Sequence, residues 1–274
     1  MILSRADIIA LSNSHSVSEK DALYLLAFVL NLSYTSVFFE RNLNIPNDKY
    51  NIFLKFLERR SVGEPLAKII EKKEFYGIEF KTTKNTLDPR PESELLVDTF
   101  RRYFPDENAC LEILDLGSGT GCIGLSILTF YKASKCLFVD IDEDALAIAT
   151  QNAESLGLSQ RSQFVISNWF SNIIGRFDVI VSNPPYVAED YELTGGAVFD
   201  PKISLFAGKD GMEAIHSILM DAPSFLKSDG KLILEIGFDQ RAKLQLLQTS
   251  LRLEEILKDL SGHDRGAVFL KTGN

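Results

Sequence analysis

Apolar residues change their spacing along the chain, and the change divides it. In the first part the spacing is helical. Ser18 with Asp21 three residues on resembles a capping box and predicts a helix over 21–32, apolar nearly all round and so buried. Beyond Pro46, Tyr50, Phe53, Leu54 and Leu57 fall at i, i+3, i+4 and i+7, one stripe of an amphipathic helix. Glu58-Arg59-Arg60, Gly63 and Pro65 bring that helix to an end. Around Gly77, the residues Phe75, Tyr76, Ile78, Phe80, Thr82 and Thr83 predict a β-hairpin over 74–86. Pro89 and Pro91 then hold an extended entry, and Ser93 or Glu92 opens a helix through Tyr103.

From residue 111 the pattern alternates. Short β-branched runs at 111–116, 135–140, 163–167, 177–181, 231–236 and 267–271 read as strands. Helical patterns at 121–131, 143–156, 211–226 and 240–249 lie between them. Such alternation predicts an α/β, doubly wound parallel sheet with right-handed crossovers. The expected organisation is a helical domain over 1–72, a β-hairpin linker over 73–88 and a sheet domain over 89–274.

Composition narrows the class. Apolar content of 45% and charged content of 24% are those of a soluble globular protein. The longest clean apolar run, 22–30, is too short to span a bilayer, and the first residues carry no export pattern. A cytoplasmic location and no membrane partner are expected. Cys110, Cys122 and Cys136 have no C-x-x-C spacing, which fits buried reduced thiols and gives no reason to expect a metal site. A net charge of −9 disfavours broad binding to nucleic acid, so no stable nucleic-acid complex is expected.

The chemistry gathers where the predicted strands stop. Pro184 and Pro185 cannot extend a central strand, so the run 177–181 ends at Ser182-Asn183 with a polar side chain at its carboxyl end. That end is where ligands bind in open α/β sheets. The run 111–116 leads into Asp115-Leu116-Gly117-Ser118-Gly119-Thr120-Gly121, whose glycines allow a tight turn and close approach to main-chain N–H groups. Asp140 ends the next strand, where a carboxylate can accept from both ribose hydroxyls. These features predict a nucleoside-containing ligand. Gly119-x-Gly121-x-x-Gly124 also matches the dinucleotide fingerprint, but a nicotinamide ligand leaves Asn183-Pro-Pro-Tyr without a role.

Taken together, Gly63-Glu64-Pro65-Leu66-Ala67, Glu74-Phe75-Tyr76-Gly77, Pro89-Arg90-Pro91-Glu92-Ser93-Glu94, Asn168-Trp169-Phe170 and Ser182-Asn183-Pro184-Pro185-Tyr186 resemble the HemK/PrmC family. These are class I S-adenosylmethionine-dependent methyltransferases that modify the glutamine amide of the Gly-Gly-Gln motif in class 1 peptide-chain release factors. The resemblance implies a Rossmann-like methyltransferase sheet, mostly parallel with the last strand antiparallel, after a small all-helical substrate-docking domain and a β-hairpin connector. It implies S-adenosylmethionine as donor, S-adenosylhomocysteine as product, a release factor as protein substrate, and a monomer. Asp115, Gly117, Ser118, Gly119, Thr120, Gly121, Asp140, Trp169 and Asn183 would hold the donor. Asn183, Pro184, Pro185, Tyr186 and Arg90 would meet the acceptor, with Asn183, Pro184 and Tyr186 catalytic. Asn168 stands where the family has Asp, and Asp88 where it has an apolar residue.

An amide nitrogen is a poor nucleophile because its lone pair is conjugated with the carbonyl, an interaction gauged by a rotation barrier of roughly 18–20 kcal/mol. By the family analogy, the Asn183 oxygen and the Pro184 carbonyl accept the two N–H donors, and Tyr186 packs on the flat amide. Preorganised acceptors then face the nitrogen as it becomes positive, and no general base is needed. Asp115 either braces the glycine turn or faces the donor's amino group. Glu235, Asp264 and Arg265 read as sheet-edge polar residues and a surface turn. Methylation of a ribosomal-protein glutamine, of an amino group in nucleic acid, and non-catalytic nucleoside binding are the competing functions.

Overall fold

The computed structural model describes residues 2–271. Contacts divide these into two units, one running up to Lys72 and including Leu193–Phe199, the other holding Lys73–Glu192 and Asp200 onward.

The first unit contains β1 (Ile2–Ser4), α1 (Arg5–Ser14), α2 (Glu19–Leu30), α3 (Tyr34–Phe39), β2 (Asn42–Asn44), α4 (Asn47–Ser61) and α5 (Leu66–Ile70). It is helical but not all helical, because β1 and β2 pair antiparallel. Ser18 caps α2 by accepting from the Asp21 N–H at 3.1 Å. Asp21 does not complete a capping box there; its carboxylate accepts from Arg60 Nε at 2.9 Å. The reciprocal box lies at Ser4 and Asp7 instead. Asn31, at φ 56°, stops α2 in the left-handed conformation that asparagine tolerates. Phe53 and Leu57 of the predicted stripe are fully buried against Leu23, Leu25 and Leu26 of α2.

The second unit continues with β3 (Lys72–Phe75), β4 (Ile78–Lys81), α6 (Glu94–Tyr103), β5 (Glu112–Leu116), α7 (Cys122–Phe130), β6 (Lys135–Asp140) and α8 (Glu143–Ser155). Then come β7 (Ser162–Ile166), β8 (Phe177–Ser182), α9 (Glu213–Phe225), β9 (Leu226–Glu235), α10 (Arg241–Leu246), β10 (Leu251–Lys258) and β11 (Asp264–Lys271). β3 and β4 form the two-stranded hairpin, and the large sheet runs β10-β11-β9-β8-β5-β6-β7. Its five strands from β5 to β9 are parallel to one another, and β11 is antiparallel to both β9 and β10.

Central strands bury both faces and so carry apolar residues on both. Ile113 and Val179 pack with Leu96 and Phe100 of α6 and Ile127 of α7; Leu114 and Ile180 pack with Ile215, Ile218 and Leu219 of α9 on the other side. Each such side chain contributes about 1.5–3 kcal/mol of burial. The sheet's order reverses between β5 and β8, the switch point at which doubly wound sheets bind ligands. There Ser182 Oγ donates to the Leu116 carbonyl at 2.6 Å, tying the two carboxyl ends together.

Three further expectations change. The sequence pattern omits β10, whose alternation at Leu251 and Leu253 is broken by a register shift before Glu255. β11 begins at Asp264, so Asp264 and Arg265 lie in a strand instead of a surface turn. Cys122 and Cys136 are buried, with thiols pushed up by desolvation, Cys122 to about 12, but Cys110 is exposed. None of the described helices is long and apolar enough to cross a membrane.

Candidate active site

A cleft of about 330 Å³ opens at the carboxyl ends of β5, β6 and β8, within the range of small-molecule sites. Gly117, Ser118, Gly119, Thr120, Asp140, Asn168, Trp169, Asn183, Pro185 and Arg90 line it. Asp115, Gly121, Pro184 and Tyr186 are not on its wall.

The glycine turn is held from beneath. Gly117 and Ser118 N–H groups donate to the Val139 carbonyl at 2.8 and 2.9 Å, and Gly119 N–H donates to Asp140 Oδ2 at 2.8 Å. These amides therefore brace β5 against β6 and do not all point at a ligand, as the glycine spacing suggested. Gly121, at φ 74°, starts α7. Gly124 is required for packing: a Cβ there would lie 2.6 Å from Phe138 and 2.9 Å from Asp115 Oδ2. That close approach of helix to strand, and not a dinucleotide, accounts for the third glycine of the fingerprint.

Asp115 is buried, with Oδ2 accepting from the Gly124 N–H at 2.9 Å and Oδ1 lacking a partner. Desolvation pushes its carboxyl up to about 7. Ser118 Oγ is likewise buried without a partner. Asp140 is raised by burial, opposed by the Asp142 and Gly119 amides. The ring of Trp169 comes within 3.5 Å of where a Gly117 Cβ would stand, and Trp169 itself sits at φ 48°, a conformation costly for an aromatic residue.

Beyond β8, Asn183 Nδ2 donates to Ser93 Oγ at 2.9 Å, and Ser93 Oγ to Glu235 Oε2 at 2.6 Å. The Tyr186 hydroxyl donates to Glu235 Oε1 at 3.0 Å. Ser93 therefore does not cap α6; no side chain does. Glu235 is 1% exposed and not a sheet-edge residue, and burial pushes its carboxyl up to about 7. Tyr186 is raised by burial and by the Glu235 charge. Arg90 is ion-paired with the buried Asp200, and the Asp88 carboxylate accepts from Thr82 Oγ1 at 2.6 Å. Asn152 on α8 holds the turn through Nδ2, which donates to the Thr120 carbonyl at 2.9 Å. Sequence reasoning missed Asn152, and its one signal was an amide among the apolar positions of α8. Among the described residues no His, Cys, Asp and Glu cluster is arranged to hold a metal ion.

Residues 10–70 match the family model described as PrmC N-terminal domain, and residues 83–197 the Methyltransferase small domain. A release factor glutamine methyltransferase from Agrobacterium fabrum is 37% identical, over 91% of this chain and 89% of its own length. The chain belongs to the release factor glutamine methyltransferase family. A bifunctional methyltransferase of Rickettsia conorii is also 37% identical, but the chain spans only 54% of it. In the solved structure of a methyltransferase from Pyrococcus furiosus, the likeness is one of fold, with TM-score 0.54 and 19% identity over 78% of this chain and 96% of that one. As a family member, the chain is a methyltransferase and takes its methyl group from S-adenosylmethionine.

The cleft suits that donor. On its wall, Asp140 would offer a carboxylate to a ribose and Trp169 an indole to an adenine, and the unpartnered Ser118 hydroxyl would offer a polar contact to the amino acid end.

Proposed function

We propose that this enzyme methylates the side-chain amide nitrogen of the glutamine in the Gly-Gly-Gln motif of a class 1 peptide-chain release factor, in the cytoplasm where translation ends. Family membership supports the acceptor, and one observation carries the chemistry. Asn183 lies on the cleft wall with its –NH2 committed to Ser93, so its oxygen is the polar end left for the acceptor. A glutamine –NH2 brings two donors and needs acceptors, not further donors.

Bound S-adenosylmethionine supplies a methyl on a sulfonium and departs as the neutral thioether S-adenosylhomocysteine. The chain's part is to hold the nitrogen in line and to receive its growing positive charge. Asn183 Oδ1 accepts one N–H and the Pro184 carbonyl the other. A preorganised hydrogen bond of this kind is worth about 2.7–4 kcal/mol in a transition state. Tyr186, anchored through its hydroxyl to Glu235, gives the flat amide an aromatic neighbour. Methylation makes the nitrogen acidic, so its proton passes to water and no base is required. Arg90, although paired with Asp200, remains on the cleft wall as a contact for the factor's backbone. The first unit serves as the factor's docking domain.

Incubation with S-adenosylmethionine and purified release factor, followed by peptide mass mapping, tests this reading. One methyl on the Gly-Gly-Gln glutamine is expected. Transfer to RNA, DNA or a ribosomal protein, with none to that glutamine, overturns it.

A further inference from the structure

An asparagine amide fits its site either way round, because oxygen and –NH2 are nearly the same size. Only hydrogen bonding distinguishes the two orientations. For Asn183 the difference decides function, since an outward –NH2 would oppose the donors of an incoming glutamine.

The partner that decides is itself determined by Glu235. An ionised carboxylate only accepts, so both hydroxyls that reach Glu235, from Ser93 and Tyr186, must donate. Ser93 has then spent its one proton and offers only lone pairs. The single end of Asn183 that satisfies it is –NH2, at 2.9 Å. A neutral Glu235 reverses this: its O–H can donate to Ser93, whose own proton is freed for Asn183 Oδ1, and the amide turns over.

We infer that Glu235, acting through Ser93, is a positioning residue that holds the Asn183 amide oxygen toward the acceptor, with the Tyr186 ring fixed to the same carboxylate. The inference rests on the reading of Asn183 as the acceptor's hydrogen-bond partner. It also explains why a carboxylate is retained at 1% exposure at the end of β9, facing a serine from the start of a distant helix.

The groups around Glu235 set when the relay has its working polarity. Arg265, adjacent on β11 to the Gly266 that pairs with Glu235, favours the ionised form; Glu92 and burial oppose it. Tyr186 hydrogen-bonds to the carboxylate, and Cys122, a thiol raised by burial, lies within its field. Burial dominates and brings the carboxyl up to about 7. The ionised, working relay therefore forms as pH rises through neutrality.

The test compares full-length wild type with Glu235→Gln, Ser93→Ala, Ser93→Thr and Asn183→Ala. It measures methyl transfer to release factor against pH, S-adenosylmethionine affinity, and the 15N side-chain amide resonances of Asn183. Wild-type kcat should rise through an ionisation near neutrality, and the Asn183 resonances should shift over the same range. Glu235→Gln should lower kcat on the order of a hundredfold, the scale of a misplaced reacting group, with a flat pH profile and donor affinity retained. Ser93→Ala should fall similarly, and Ser93→Thr, which keeps the hydroxyl, should restore most of the loss. Folding is checked by near-ultraviolet circular dichroism. Glu235→Gln as active as wild type, Ser93→Thr no better than Ser93→Ala, or Asn183 resonances unmoved by pH overturns the inference. A wild type that leaves the glutamine unmethylated while those resonances titrate instead overturns the proposed acceptor and leaves the amide's orientation standing.

Discussion

Asp115 is 1% exposed, and nothing in its surroundings offsets desolvation except the Gly124 N–H. Its folded carboxyl is raised from 3.8 to about 7, so the folded state binds more protons than the unfolded chain between those values. Stability from this group is complete below the unfolded value and declines as pH rises through the folded one. Asp115→Asn has no such dependence. Its stability relative to wild type should increase from pH 4 to pH 7 in parallel urea titrations, while its affinity for S-adenosylmethionine falls. A constant difference across that range would show that Asp115 is not held neutral by burial. At this scale the sequence was informative where a role is local. Prolines 184 and 185 end β8, and Asp140 ends β6. Ser93 and Glu235 were not legible together, because they meet across 142 positions of chain.

The glycine turn shows how an element transmits such requirements. α7 lies so close to β5 and β6 that Gly124 has no room for a methyl group. Gly124→Ala must move Phe138, the Asp115 carboxylate or the helix, at a cost of about 1–3 kcal/mol typical of overpacking. Because Gly124 also donates to Asp115, the donor site should suffer with the fold. A lowered thermal midpoint and weaker S-adenosylmethionine binding are expected by scanning calorimetry and titration calorimetry; wild-type values for both would refute this account. The central strands β5, β6, β8 and β9 were readable because parallel strands buried on both faces are largely apolar. β10 was not, since its bulged edge interrupts the two-residue period that identifies a strand. Glycine spacing alone likewise could not separate a nucleotide fingerprint from tight helix packing.

For the molecule as a whole, the donor is a stabilising ligand of the folded chain only. At a hundred times its dissociation constant it should add about 2.7 kcal/mol of apparent stability. Asp140→Ala, which removes a carboxylate from the cleft wall and from the Gly119 N–H, should lose most of that gain in denaturant melts with and without S-adenosylmethionine. An undiminished gain would remove Asp140 from the donor site. The sequence divided the chain after residues 72 and 88, where the spacing of its apolar positions changes. It gave no sign that Leu193–Phe199 belongs with the first unit. Within that unit Gly196 comes so close to Pro65 that a Cβ would stand 3.0 Å from its ring. The polypeptide accordingly passes between the units after Lys72, after Glu192 and after Phe199. A single protease nick after Lys72 severs only one of these connections and leaves the strip 193–199 seated on the Gly63–Pro65 turn. Residues 1–72 expressed alone would lack that strip, so the helical unit is not a cassette that can be cut out or grafted at its apparent linker.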